Sequence, residues 1–212
     1  MHPYLARLQV NPEVQKFFSR FYTTDELSNL LFSYGDGFEH FGFAFHKVPL
    51  SANFWFAGIN NFSQVRQVMI CSSAMEAVSW LNKNYLSFSS PDNLLFLSPG
   101  TGVHDTHLRW LSQNLTGKTF TLVFGRDVLG RVADLKIAAG IRRVPVAVYF
   151  EPEEMLRVVF RLNSYLFRQA DFSLNAFERA VGYRFNIPAR KPKGFNSFFD
   201  QLKANAGLNF NL

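Results

Sequence analysis

Cysteine is almost absent from this 212-residue chain, and the single one, Cys71, leaves no internal disulfide to form. It sits in an apolar run, which suits a reduced, cytosolic interior. No apolar stretch approaches the roughly 20 residues that a membrane span needs, so no membrane partner is expected. The start, Met1-His-Pro-Tyr-Leu-Ala-Arg7, lacks a basic region followed by an apolar one. A secretory signal is therefore not expected, and the protein reads as cytoplasmic. Charged residues are sparse, at 18% against 48% hydrophobic, which excludes a disordered, self-repelling chain. Internal repeats and low-complexity tracts are missing as well. His104 and His107 stand three apart at a helix start, but no further ligand follows at a fixed spacing. They read as a capping pair, and neither a metal nor another cofactor is expected.

Phenylalanine is abundant, with 25 residues. Burial is its usual fate, so an aromatic core is expected, with any surplus open to a partner or to stacking on bases. The net charge of +6 is uneven: residues 141–212 hold eleven of the 22 Lys and Arg but only six of the 16 Asp and Glu. A basic C-terminal third suits either a polyanion or a solvated surface.

Along the chain, residues 1–66 read as short helices and strands that pack on the core formed by later residues. Asn11-Pro-Glu and Thr24-Asp-Glu each predict a helix start with a cap and an early acid. Phe41 to Val48 and Phe54 to Phe56 predict short antiparallel strands. From residue 67 the rhythm becomes strand–helix: apolar runs at 67–71, 93–98, 119–124 and 145–150 alternate with helical patterns at 73–81, 104–115 and 128–139. That predicts an α/β domain over 67–150 with a four-stranded, mostly parallel sheet flanked by helices. Residues 151–212 read as a basic helical extension. Glu151-Pro-Glu-Glu opens a helix through Leu166, with further helices at 172–183 and 196–204. Residues 188–194 are a basic loop, and 207–212 a frayed or docked end.

The most informative stretch is Leu122-Val-Phe-Gly-Arg-Asp-Val-Leu-Gly-Arg131, a buried strand turning directly into a helix with Asp127 and Gly130 in the turn. Such a carboxyl-end turn is where ligands collect in α/β sheets. The segment 67–150 resembles the Toprim domain of bacterial primases, topoisomerases and related mobile-element proteins. Three motifs carry the likeness: Ile70-Cys-Ser-Ser-Ala-Met-Glu-Ala-Val-Ser79, Ser98-Pro-Gly-Thr101, and Gly125-Arg-Asp-Val-Leu-Gly130. The resemblance implies a glutamate for acid–base chemistry and aspartates that hold Mg²⁺. Here the glutamate position is Ser72 and the first aspartate position is Gly125, leaving Asp127. One carboxylate is a poor anchor for magnesium, which enters only if Asp127 still functions. Loss of an acid–base group alone forfeits roughly 10²–10⁴ in rate.

The resulting expectation is a Toprim-like protein that is catalytically silent, with Ser72, Gly125, Asp127 and Gly130 as vestigial positions. Its partners would be DNA or RNA, or a replication or mobile-element protein. Ser72 and Ser73, at a strand end before a helix, suit phosphate contact through backbone N–H groups. Arg157, Arg161 and Arg168, at steps of four and seven on the expected helix, share one face. With Arg190, Lys191 and Lys193 they form the nucleic-acid candidate, beside Phe185, Phe195, Phe198 and Phe199. Two other readings stand alongside: a metal-dependent phosphoryl-transfer enzyme using Asp127 with Glu76 or Asp105, and a protein-interaction domain without nucleic acid. Glu76 is otherwise expected to be a surface acid.

Overall fold

A computed structural model describes residues 1–59, 61–88 and 91–208; of the expected frayed end, 209–212 lie outside the described residues. The chain runs α1 (Pro3–Arg7), α2 (Pro12–Phe18), β1 (Thr23–Thr24), β2 (Leu30–Ser33), β3 (Phe38–Phe41), β4 (His46–Lys47), β5 (Leu50–Gly58), β6 (Gln67–Cys71), α3 (Ala74–Asn84), β7 (Leu94–Gly100), α4 (Asp105–Asn114), β8 (Thr119–Val123), α5 (Val128–Ile141), β9 (Val146–Glu151), β10 (Met155–Phe160), β11 (Asn163–Arg168), α6 (Leu174–Val181) and α7 (Phe198–Asn205). Among the described residues these strands form an antiparallel N-terminal sheet β1-β2-β3-β4, a mixed central sheet β5-β7-β6-β8, and an antiparallel sheet β11-β10-β9.

The central sheet is built from near-continuous apolar strands covered on both faces, as β6 and β7 show by their burial. One face carries α1, α2, α3 and α7, with Phe18, Phe32, Trp55 and Phe96 in ring contact. The other carries α4, α5, α6 and the third sheet, with Phe172, Phe177 and Phe185 in its core. Most of the phenylalanine surplus is thus core material. Helix starts follow their caps: Asn11, Ser73, Asp127, Ser173 and Ser197 each accept a backbone N–H of the first turn.

Several expectations need correction. The parallel order holds for β7-β6-β8 only; the fourth strand is β5, antiparallel to β7 and drawn from before residue 67. The boundary between 66 and 67 therefore runs through one sheet. The expected fourth strand, β9, instead pairs with β10. The helix expected after Pro152 is the hairpin β10–β11. Its decisive signal is period two: Leu156, Val158 and Phe160 are buried while Met155, Arg157 and Val159 are not. Glu151-Pro-Glu-Glu is a hairpin turn with Glu153 and Glu154 at positive φ. Likewise Thr24-Asp-Glu opens a turn, where Asp25 accepts the N–H groups of Leu27 and Asn29, between two short strands.

The basic loop has a role of its own. Leu122 N donates to Pro188 O and Arg190 N donates to Leu122 O, so residues 188–190 lie parallel along the outer edge of β8.

The β10–β11 turn is Arg161-Leu162, both left-handed at φ 49° and 70°. A two-residue hairpin turn of this hand favours Asn-Gly, because each bulky residue there costs about 1–2 kcal/mol. Leu162 is fully exposed and loses no packing on truncation. Leu162→Gly is expected to stabilise the protein by about 1 kcal/mol, read from chemical denaturation. In a helix the same change would cost about 1 kcal/mol, so a loss of stability refutes the hairpin.

Candidate functional site

In the central sheet the chain leaves β6 through α3 on one face and leaves β8 through α5 on the other. Met69 and Cys71 pack with α3, whereas Val68 and Ile70 pack with α5. Since β6 and β8 are neighbours, their carboxyl ends splay apart at a topological switch point, where α/β sheets open a crevice. A cavity of about 700 Å³ lies there. Ser72, Ser73, Gly125, Asp127 and Gly130 all line it, and Ser72 N donates to Val123 O at 3.2 Å across the strand ends. The motif positions that are distant in sequence thus share one wall.

Local geometry explains the two glycines. A Cβ on Gly130 would lie 2.5 Å from Gly125 O and 2.9 Å from Gly125 N, so the first turn of α5 rests directly on the strand-end backbone. A Cβ on Gly125 would lie 2.5 Å from Asp127 Oδ2. That glycine leaves Asp127 free to act as the N-cap of α5, its Oδ1 accepting from Gly130 N at 2.7 Å. An N-cap of this kind is worth about 1 kcal/mol.

The other acids near the crevice are engaged in the same manner. Glu39 of β3 is fully buried, and its carboxylate accepts from Ala74 N at 2.6 Å, Met75 N at 3.0 Å and Tyr34 Oη at 2.9 Å. His46 Nε2 lies 2.8 Å from its other side. The N-terminus of α3, expected to meet phosphate through Ser72 and Ser73, is therefore filled by the chain's own carboxylate. Ser73 is spent as the cap on Glu76 N. Glu76, expected on the surface, is buried, and its two oxygens accept from Phe198 N at 2.8 Å and Phe199 N at 2.9 Å, the start of α7. Burial pushes its pKa up to about 7, against the opposing pull of those two N–H groups.

Behind the turn, Lys191 Nζ bonds Asp134 Oδ2 at 2.6 Å, Phe124 O at 3.0 Å and Gly125 O at 2.9 Å. Burial raises the Asp134 pKa to about 6, with Lys191 opposing. Lys191 is thereby an internal cation. Arg190 and Lys193 stay exposed on either side of it, and Arg126 Nε donates to Pro192 O, so this basic segment packs behind the turn that lines the crevice. Arg157 and Arg168 lie on the outer face of the third sheet, Arg157 paired to Glu151 and over the Tyr149 ring, while Arg161 occupies the hairpin turn over Phe160 and Tyr183. The expected six-residue basic stripe is thus divided. His107 caps as expected, Nδ1 accepting from His104 N and Nε2 facing Asn53 O, and burial lowers its pKa.

Several lining residues carried no local signal. Phe43, Phe45 and Phe150 stand about half exposed on the rim, and Lys136 of α5 has no ion-pair partner among the described residues. Phe45 is held beside Gly42, where any Cβ would strike its ring. The donor set does not fit magnesium: Ser72 and Gly125 bring no carboxylate, and Asp127 is committed to the α5 cap. Among the described residues no cluster of three His, Cys, Asp or Glu is arranged to hold a metal. No family model, no curated protein and no solved structure matches this chain.

The buried acids make stability depend on pH and on charge pairing. Glu76 binds its proton more tightly folded than unfolded, so its contribution is full below about pH 4.5 and fades as pH rises through 7. Between pH 7.5 and 5.5, wild type should gain about 2 kcal/mol relative to Glu76→Gln in paired denaturation curves; a difference that does not move with pH removes the assignment. Lys191→Met strands Asp134 and should cost about 3 kcal/mol, with much of it regained in the Lys191→Met/Asp134→Asn double variant.

Proposed function

We propose that this protein is a catalytically silent, Toprim-like binding protein that takes single-stranded nucleic acid at the switch-point crevice, in the setting of replication or a mobile element. One observation carries the reading. The crevice holds the motif positions Ser72, Gly125 and Asp127 together, yet its acids Glu76, Asp127 and Asp200, like Glu39 behind its wall, already accept protein donors. What the crevice offers a ligand is the half-exposed rings of Phe45 and Phe150 and the ammonium of Lys136, with Arg190 and Lys193 alongside. Rings of this kind stack on unpaired bases of any sequence, whereas a duplex hides its base faces. Cations at the border meet phosphates and make affinity depend on salt.

Phosphoryl transfer by Asp127 draws no support from this geometry. Asp127 is a helix cap, and Asp105, in the first turn of α4, does not line the crevice.

Anisotropy of a labelled single strand, compared with its duplex over a salt series, tests the proposal. The single strand should bind more tightly, and chelation of divalent cations should leave binding unchanged. Phe45→Ala should weaken it by about 1–3 kcal/mol. Arg190→Ala with Lys193→Ala should lower the salt slope by about 1 per residue. Absence of binding at low salt, or indifference to Phe45→Ala, overturns the proposal.

A further inference from the structure

The third sheet ends in an open strand. Among the described residues β11 pairs with β10 alone, in unbroken register over Asn163–Arg168. The two-residue turn makes Phe160–Asn163 a hydrogen-bonded pair, so by alternation Val158–Tyr165 and Leu156–Phe167 are bonded pairs too. The N–H and C=O groups of Ser164 and Leu166 therefore point away from the sheet, along its free edge. Edge strands are ordinarily blunted by proline, a bulge or an inward-pointing charge. β11 has none of these, and its one charged residue, Arg168, stands at the far end. Leu166 is 61% exposed and Leu162 fully exposed beside it.

We propose that β11 is a dimerisation strand on which a second copy of this chain adds antiparallel, about a two-fold axis at Leu166. The side-chain pattern suits a second copy, because the strand meets itself about Leu166 without opposing like charges. With Leu166 opposite itself, Tyr165 faces the second copy's Phe167, and Ser164 faces its Arg168. Aromatic pairs then lie on the core-facing side, the exposed leucines cover each other, and no like charges oppose. Cross-strand pairs of this kind stabilise sheets, and a two-fold contact closes on itself. Two three-stranded sheets become one of six.

The full chain in sedimentation or light scattering should have twice the chain mass. Leu166→Lys, which sets two ammonium groups face to face on the axis, should give a folded monomer. Leu166→Pro is the second arm: it removes the outward N–H of the central pair while leaving the bonds to β10 intact, and should also give a monomer. Circular dichroism checks that each variant is folded. Leu166→Cys should be joined by a short bis-maleimide, with Cys71 buried and silent. A monomeric wild type, or a dimer that survives both Leu166→Lys and Leu166→Pro, overturns the proposal.

Discussion

The carboxylate of Glu39 is the interaction on which the site depends. It comes from a short N-terminal strand and is inserted against the first N–H groups of α3, whose partial positive charge it complements. Through Tyr34 the same contact reaches Ser98 at the end of β7, and through His46 it fixes the far side of the β3–β4 turn. One buried acid thus docks the N-terminal sheet on the central one and sets Phe43 and Phe45 on the crevice rim. Its removal would leave two buried backbone donors unpaired, each costing about 1–3 kcal/mol.

The same device recurs around the crevice. Glu39 fills the start of α3, Asp127 the start of α5, and Glu76 the start of α7. Helix starts at the carboxyl edge of a sheet are natural seats for phosphate. Here all three are neutralised from within, so an incoming polyanion must rely on side-chain cations at the border. Under the proposed binding of a single strand, phosphates would stay outside, near Arg190, Lys193 and Lys136, with bases turned inward to the phenyl rings.

Much of the central fold was legible because its signals are local. The apolar runs of β6, β7 and β8 and the caps Ser73 and Asp127 sit beside the elements they define, and Ser72, Gly125 and Asp127 meet in one wall. The features that escaped depend on partners far along the chain. β5 joins the sheet only because β7 offers it an edge. Glu39 reads as an ordinary polar residue until its partner some 35 residues away is placed. Glu76 stands three residues after Ser73, the spacing of a reciprocal helix cap, yet tertiary contact diverts its side chain to α7. The hairpin β10–β11 reads as a helix in sequence because Leu156, Val159, Phe160 and Leu162 fit a helical period nearly as well as Leu156, Val158 and Phe160 fit a strand. Paired valines and a left-handed turn decide between them.

The basic C-terminal segment resolves in a similar way. As a free loop it would offer three neighbouring cations to a ligand; packed along β8 and the turn beyond it, it leaves two of them exposed. Lys191 turns inward to Asp134 and the carbonyls of Phe124 and Gly125, where a strand end gathers negative potential, and Arg190 and Lys193 remain outward. The chain therefore supplies its own ammonium behind the turn that begins α5, and that ammonium holds the turn in the shape that lets Gly130 rest on Gly125. Charge near a carboxyl edge is balanced by a covalently tethered cation, whose position does not vary with the solution. A wall built this way takes much of its charge balance from within the chain rather than from a bound ion.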